Sequence, residues 1–205
     1  MDIHYHLYDL PDNIVFDGDL ALDTETQGLK TARDRLCVVQ LSDGNRDAHL
    51  VHFPRPDYTA PRLRRLLADP KRVKIMHYAR FDIAAIQAYL DISLSPVFCT
   101  KIASRLTRTY TDRHGLQDLC TELLGVHLDK QQQSSDWAAE TLSAAQQAYA
   151  ASDVLYLHAL RDSLTKRLDR ENRQHIAQSC FDFLPTRAEL DQKGWPETDI
   201  FSHAG

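Results

Sequence analysis

The stretch ALDTETQGL at residues 21–29 constrains the fold most, because two acids interrupt a run that is otherwise typical of a buried strand. Side chains alternate between the two faces of a strand, so Asp23 and Glu25 project to the same side. Two neighbouring carboxylates repel each other unless a positive charge lies between them. The spacing therefore indicates a metal-ion site. A solvent-exposed edge strand is the alternative that this fragment leaves open.

The chain is long enough, and apolar enough, for one folded domain: it has 205 residues, of which 43% are hydrophobic. We expect a single domain over residues 1–205 that ends in a helical segment and tail over about residues 171–205. In this tail Trp195, Ile200 and Phe201 suggest docking on the body or on another subunit, with a disordered tail as the alternative.

Charge and cysteine usage narrow the class of protein. The net charge of −5 argues against a broad basic surface for non-specific duplex binding. The chain has no run of about 18 apolar residues and no secretory signal pattern, so we expect a cytoplasmic protein without membrane contact. The cysteines are isolated in apolar stretches and the histidines lack a metal-binding spacing. We therefore expect free thiols, no disulfide and no zinc site.

The order of the predicted elements indicates a mixed α/β sheet. Residues 20–25, 36–42 and 48–53 have the composition of three consecutive antiparallel strands. Helices and short strands then alternate, and the chain is predicted to be helical from about Leu142 to Arg170 and from Glu171 to about Leu190. Strands followed by alternating helices and strands, and then by helices, are typical of a mixed α/β domain.

Two further acids fall at core-facing positions of predicted helices. A capping box at Ser143 sets the register of one helix, and it puts Asp153 on the buried stripe one turn after Tyr149. Asp82 lies on the apolar stripe at the start of an earlier helix. For Asp153 a structural salt bridge is the alternative, for Asp82 a helix N-cap, and for Tyr149 an aromatic side chain that only fills space.

Four acids at core-facing positions, without a matching set of basic residues, indicate a site for hard cations. Two Mg²⁺ or Mn²⁺ ions would neutralise the four carboxylates. A pair of such ions about 4 Å apart is suited to in-line phosphodiester hydrolysis. The candidate ligands are Asp23, Glu25, Asp82 and Asp153, and the Tyr149 hydroxyl could orient the attacking water.

The segments DTET, HYARFD and YAASD together resemble the three motifs of the DEDDy branch of the DEDD 3′-5′ exonucleases, which includes ribonuclease D. The resemblance implies an α/β, RNase H-like mixed five-stranded sheet flanked by helices, with C-terminal helices. It implies that two divalent cations are held by Asp23, Glu25, Asp82 and Asp153, with Tyr149 as the water-orienting residue. His77 stands where many members have asparagine, which bears only on a substrate contact.

The segments DRLCVVQL, TRTYTDRHGL and KQQQSSDWAAETLS, with FLPTRAELDQKGW near the end, are similar to the bacterial nano-RNase C family. That similarity implies a 3′-5′ exoribonuclease for very short RNAs, dinucleotides especially, that forms an octameric ring and in some members also acts on DNA. Ribonuclease D-like trimming of longer RNA and DNA exonuclease activity are the alternatives. A catalytically inactive nucleic-acid-binding module is the alternative from another class.

Candidate substrate contacts surround these motifs. If residues 101–109 are helical, three basic residues at positions i, i+4 and i+7 form one stripe that could neutralise phosphates, with an ordinary solvated face as the alternative. Leu29 could wedge between the two bases of a dinucleotide, or it could belong to the core. The full set of predicted substrate contacts is Thr24, Leu29, His77, Lys101, Arg105, Arg108, Arg113 and His114.

Overall fold

The strand that carries Asp23 and Glu25 lies inside a six-stranded sheet in the computed structural model of the chain, which describes residues 2–203 except 32, 130 and 133. The strands are, in chain order, β1 (Ile3–Leu7), β2 (Leu20–Thr26), β3 (Leu36–Ser42), β4 (Ala48–His52), β5 (Lys74–Met76) and β6 (Val97–Cys99). Their order across the sheet is β1-β4-β3-β2-β5-β6. This is the predicted mixed α/β architecture.

Strands β2, β3 and β4 form the predicted antiparallel trio, and β5 and β6 extend it in parallel on the β2 side. The prediction of five strands is wrong by one, because β1 adds a parallel strand beside β4. Its sequence IHYHL alternates apolar with polar residues, a pattern that is typical of a half-exposed strand, so this strand could have been predicted. In this pairing His4 lies opposite His49, and the two imidazole rings stack with centroids 4.6 Å apart.

The helices flank this sheet. They are α1 (Pro61–Leu67), α2 (Arg80–Leu90), α3 (Thr100–Thr107), α4 (Leu116–Leu119) with a π-helical turn directly after it (Cys120–Leu124), α5 (Ala144–Leu155), α6 (Leu157–Arg170) and α7 (Gln174–Gln192). The long helix predicted up to Arg170 is therefore two helices that break at Tyr156. In the part of the chain that the structure describes, no helix is long and apolar enough to cross a bilayer.

Helix α5 closes over the face of the sheet that carries the two acids. On that face Val38 lies opposite Glu25, and it packs with Leu50, Trp137 and Ala150 in a small buried cluster. A larger core on the other face is continuous with the helices that follow β4. All four cysteines are free, as predicted.

The C-terminal tail docks on the body of the chain. Asp191 of α7 forms ion pairs with Arg80, at the start of α2, and with Arg187. The same two guanidinium groups donate to backbone carbonyls of the tail, among them those of Pro196 and Thr198. The tail is therefore docked on the body through polar contacts, while the apolar residues on which the docking prediction was based, Trp195, Ile200 and Phe201, are exposed. The tail lies beside the helix that carries Asp82.

Candidate active site

Strand β2 presents Asp23 and Glu25 toward a cleft. The strand pairs on both sides, with β3 and with β5, so the alternative of a solvent-exposed edge strand is wrong. The carboxyl groups of Asp23, Glu25 and Asp153 each offer an oxygen that lies within 4.8 Å of the other two. Residues from distant parts of the sequence thus meet at one point.

Helix α5 supplies Asp153 and Tyr149. Its register is set by the predicted capping box, in which the Ser143 hydroxyl accepts from the Gln146 amide at 3.2 Å. Tyr149 and Asp153 lie one turn apart on α5, so their side chains share one face of the helix and both border the cleft. None of the ion pairs among the described residues involves Asp153, so the salt-bridge alternative fails. The Tyr149 ring is fixed by Trp137, with centroids 5.9 Å apart.

Asp82 reaches the same region from the first turn of α2. The N-cap of this helix is Ala79, so Asp82 is not a capping residue and that alternative is wrong. Asp82 is buried, and its Oδ1 accepts a hydrogen bond from the Thr24 hydroxyl at 2.7 Å. Thr24 also borders the cleft, so its predicted substrate contact stays a prediction.

Burial raises the pKa values of all four acids, and repulsion by neighbouring carboxylates raises those of Asp23, Glu25 and Asp82 further. For Asp23, burial comes first and the negative charges of Asp82 and Asp153 follow, and its pKa lies well above the usual range. The pKa of Glu25 is raised for the same reasons. Burial raises the pKa of Asp82 and Asp153 to about 7, although a hydrogen bond from Thr24 lowers the first and one from Tyr149 lowers the second. Burial beside these charges also raises the pKa of Tyr149.

Three of the acids, Asp23, Glu25 and Asp153, line a cleft of about 320 Å³, and Asp82 lies outside its lining. Three of the predicted contacts, Thr24, His77 and Lys101, line it as well. Sequence reasoning missed the other side chains of this wall. Tyr78 stands inside the quoted HYARFD segment, with the Lys101 ammonium 4.4 Å from its ring centroid. Gly115 and Leu116 end the quoted segment TRTYTDRHGL, and the remaining wall residues, Gln117, Leu128 and Asp129, lie outside the quoted segments.

One predicted phosphate contact is wrong. Arg108 follows the last residue of α3 and is buried, and its guanidinium donates to Ser104 Oγ, to the Arg113 carbonyl and to Glu122. The predicted basic stripe therefore loses its third member. The turn past the end of α3 brings this side chain inward, where it holds the loop that precedes the cleft wall.

The other basic candidates lie outside the cleft lining. Arg105 and Arg113 are exposed, and His114 is partly buried with its Nδ1 2.8 Å from Ser104 Oγ. Among the described residues that line the cleft, none of these three appears. Their substrate contacts stay predictions.

Leu29 stands beside the site and outside the core. Its side chain is 87% exposed, so the core alternative is wrong. It lines a second pocket of about 530 Å³ together with Arg80, Pro196 and Glu197. Tyr78 belongs to both pockets, so the two adjoin.

The donor set fits divalent metal ions. Four carboxylates, of which Asp82 is buried and the other three are partly exposed in the cleft, offer only hard oxygen ligands, which suit Mg²⁺ or Mn²⁺ better than softer metals. Positive charge between them would remove the repulsion that raises their pKa values. The arrangement can therefore hold divalent cations next to a water positioned by Tyr149.

Comparison with known proteins agrees with this chemistry. A family model described as 3′-5′ exonuclease matches residues 5–169. The ribonuclease D of Gluconacetobacter diazotrophicus is 36% identical over 154 residues, which are 75% of this chain and 39% of that protein. The chain thus spans about two fifths of the length of this relative.

Solved structures extend the similarity over the whole chain. NrnC of Brucella melitensis bound to pGG is 54% identical, with a TM-score of 0.95 and all of both chains covered. The same protein with bound Mg²⁺ is 53% identical, with a TM-score of 0.94 and the same coverage. The chain therefore belongs to the 3′-5′ exonuclease family, within its ribonuclease D and NrnC branch.

Proposed function

We propose that the protein is a divalent-cation-dependent 3′-5′ exoribonuclease that hydrolyses short oligoribonucleotides, dinucleotides especially, to mononucleotides. The observation that carries this proposal is the meeting of Asp23, Glu25 and Asp153 within 4.8 Å, with buried Asp82 electrostatically coupled to them. The NrnC structures with pGG and with Mg²⁺ support the choice of ligands.

Two divalent cations, Mg²⁺ or Mn²⁺, supply when bound the positive charge that stabilises the attacking and leaving oxygens of the hydrolysis. The four acids hold this charge in place. The Tyr149 hydroxyl, which borders the cleft beside Asp153, orients the attacking water. Lys101 lines the same cleft and faces the substrate phosphate with its ammonium.

The shape of the surface supports a two-nucleotide substrate. The catalytic cleft and the pocket beside it meet at Tyr78, and each is large enough to count as a ligand pocket. We assign one nucleotide to each compartment. Leu29 lies at the second pocket, where its exposed side chain can insert between the two bases.

We extend the proposal to a cytoplasmic homo-oligomer, an octamer as the family resemblance implies. Four free cysteines suit a reducing compartment. Exposed apolar side chains support association between subunits, because burying them stabilises an interface. The exposed apolar residues in question are Val15, Trp195, Ile200 and Phe201.

A length series tests the proposal. Turnover is measured on 5′-labelled RNAs of two to about seven nucleotides and on duplex DNA, in Mg²⁺ and in Mn²⁺, and the mass of the native particle is read alongside. We expect the dinucleotide to be hydrolysed fastest and Asp23→Ala to abolish turnover, because removing one carboxylate of a shared site disrupts cation binding. Equal or faster turnover of the long RNA or of DNA would instead favour ribonuclease D-like trimming or a DNA exonuclease.

A further inference from the structure

His77 borders the catalytic cleft, and one of its two ring nitrogens is already committed inside the protein. It directly follows β5, and its Nδ1 lies 2.9 Å from Thr100 Oγ1. Thr100 is fully buried. The ring is therefore held from the inner side, and its opposite edge, with Nε2, is the part left to meet a bound molecule.

The hydrogen bonds of Thr100 decide which nitrogen of His77 carries the proton. A hydroxyl has one proton, and Thr100 Oγ1 donates it to the Met76 carbonyl at 3.2 Å. The hydroxyl oxygen then accepts from the Nδ1–H of His77. In a neutral imidazole the other nitrogen, Nε2, consequently bears a lone pair and acts as an acceptor.

The surroundings keep this imidazole neutral. Burial comes first, and the positive charge of Lys101 comes second, in lowering the pKa of His77 to about 3. At neutral pH the ring therefore has no second N–H to offer. A phosphate group carries only acceptor oxygens, so His77 cannot bind one as a donor.

The Nε2 atom of His77 can only accept a hydrogen bond, so its partner must be a donor group of the substrate. In a nucleotide bound with its phosphate near Lys101, the donors next to that phosphate are the hydroxyl groups of the ribose. The 2′-hydroxyl is the donor by which RNA differs from DNA.

We propose that Nε2 of His77 accepts a hydrogen bond from a ribose 2′-hydroxyl of the substrate and thereby favours RNA over DNA. The inference rests on the proposed function, since it places a nucleotide in this cleft. It assigns substrate-sugar specificity to His77 and leaves the cation site to the four acids.

Two variants distinguish the hydrogen bond between His77 Nδ1 and Thr100 from the proposed hydrogen bond between His77 Nε2 and the substrate. His77→Asn keeps an amide near the position of Nδ1, and so the bond to Thr100, but has no atom at the position of Nε2. His77→Gln places its amide near Nε2 and keeps an acceptor there. Each is assayed with an RNA dinucleotide and with versions that lack the 2′-hydroxyl at either nucleotide, or the terminal 3′-hydroxyl.

We expect the unaltered protein to turn over the RNA dinucleotide about tenfold faster than one of its 2′-deoxy versions, in kcat/KM, as one hydrogen bond allows. His77→Asn should lower the RNA rate to the 2′-deoxy rate and leave the 2′-deoxy rate unchanged, and His77→Gln should restore part of the preference. An equal slowing of both substrates by His77→Asn, or a preference that follows the 3′-hydroxyl, overturns the inference.

Failure of the inference about His77 can be distinguished from failure of the proposed function. If the protein prefers a longer RNA, the hydroxyl groups are removed from the terminal nucleotides of that RNA instead. The His77 variants are then compared in the same way. Loss of the dinucleotide preference then counts against the proposed function alone. A missing 2′-hydroxyl effect counts against His77 alone.

Discussion

The hydroxyl of Thr24 donates to Asp82 Oδ1 across 2.7 Å and joins β2 to the first turn of α2. Both side chains are buried. Because Thr24 lies between Asp23 and Glu25, its side chain leaves the strand on the opposite face from theirs. Three consecutive residues therefore position three of the four acids, two directly and one through a hydroxyl.

Replacing Thr24 by valine should weaken divalent-cation binding by about tenfold or more, because loss of a partner that orients a ligand has effects of that size. Valine keeps the shape of the side chain and removes the hydroxyl. Binding of Mn²⁺, measured directly by titration, checks this independently of turnover. Thr24→Ser should restore the affinity.

Thr26→Val is the matched control for this experiment. Thr26 is another buried threonine of β2, and its hydroxyl donates to the Gly28 carbonyl instead of to an acid. The control should bind Mn²⁺ normally. Unchanged Mn²⁺ affinity in Thr24→Val would show that Asp82 does not depend on the hydroxyl.

Tyr149→Phe should lower kcat by about a hundredfold while leaving Mn²⁺ affinity within a few fold, since loss of the orientation of an attacking group has effects on this scale. The ring packs on Trp137 and should stay in place without its hydroxyl. Single-turnover rates at saturating substrate give the measurement. Tyr89→Phe, at a half-buried tyrosine of α2 outside the cleft lining, should keep full activity. A full rate in Tyr149→Phe would return this residue to a packing role.

Leu29→Ala should raise KM for the dinucleotide by about tenfold, because burying each methylene against the bases contributes about 0.8 kcal/mol. The side chain is 87% exposed, so the free energy of unfolding should hardly change. Val15→Ala is the matched control, since Val15 is 81% exposed and lies in a different pocket. A normal KM in Leu29→Ala would remove the wedge from the proposed binding mode.

Arg108→Met should lower the free energy of unfolding by about 1–2 kcal/mol, because the buried guanidinium loses its hydrogen bonds to Ser104 and to the Arg113 carbonyl while its ion-pair partner Glu122 is exposed. Denaturant midpoints measure this loss. Lys101→Met should do the opposite: stability should hold, substrate binding should weaken, and its dependence on salt should decrease. If Arg108→Met instead stayed stable and reduced the salt dependence, the guanidinium would have to reach the substrate after all.

Acid should destabilise the fold through His49. This imidazole stacks between His4 and His6, and its Nδ1 lies 3.1 Å from His6 Nε2. Burial comes first, and repulsion by His4 and His6 follows, in lowering its pKa to about 4. The ordinary value in an unfolded chain is about 6.5.

The folded state thus binds this proton less readily than the unfolded state. The contribution of neutral His49 to stability is complete above a pH of about 6.5 and is lost as the pH falls toward about 4. Urea midpoints at several pH values should therefore fall more steeply for the unaltered protein than for His49→Gln. Parallel curves for the two proteins would show that this stack does not govern the acid response.

Much of the site could be predicted because its residues follow local rules. The alternation of β2 placed Asp23 and Glu25 together, and the capping box gave α5 a register that aligned Tyr149 with Asp153. Both signals lie within one element. The packing of α5 on the sheet then brings them to the same cleft.

What could not be predicted depends on contacts between distant segments. The spacing predicted that Arg108 ends a basic stripe. In the structure α3 ends at Thr107, and the Arg108 guanidinium pairs with Glu122. Tyr78 borders both pockets and has a backbone φ of 63°, a conformation that the surrounding sequence does not predict.

The four acids come from β2, α2 and α5, and this distribution ties the appearance of the nuclease to its synthesis. A growing chain that has left the ribosome only through α2 carries Asp23, Glu25 and Asp82, but neither Tyr149 nor Asp153. It has no helix to close over the acid-bearing face of the sheet. Each newly made molecule therefore acquires its complete set of cation ligands only after α5 has been translated and has docked.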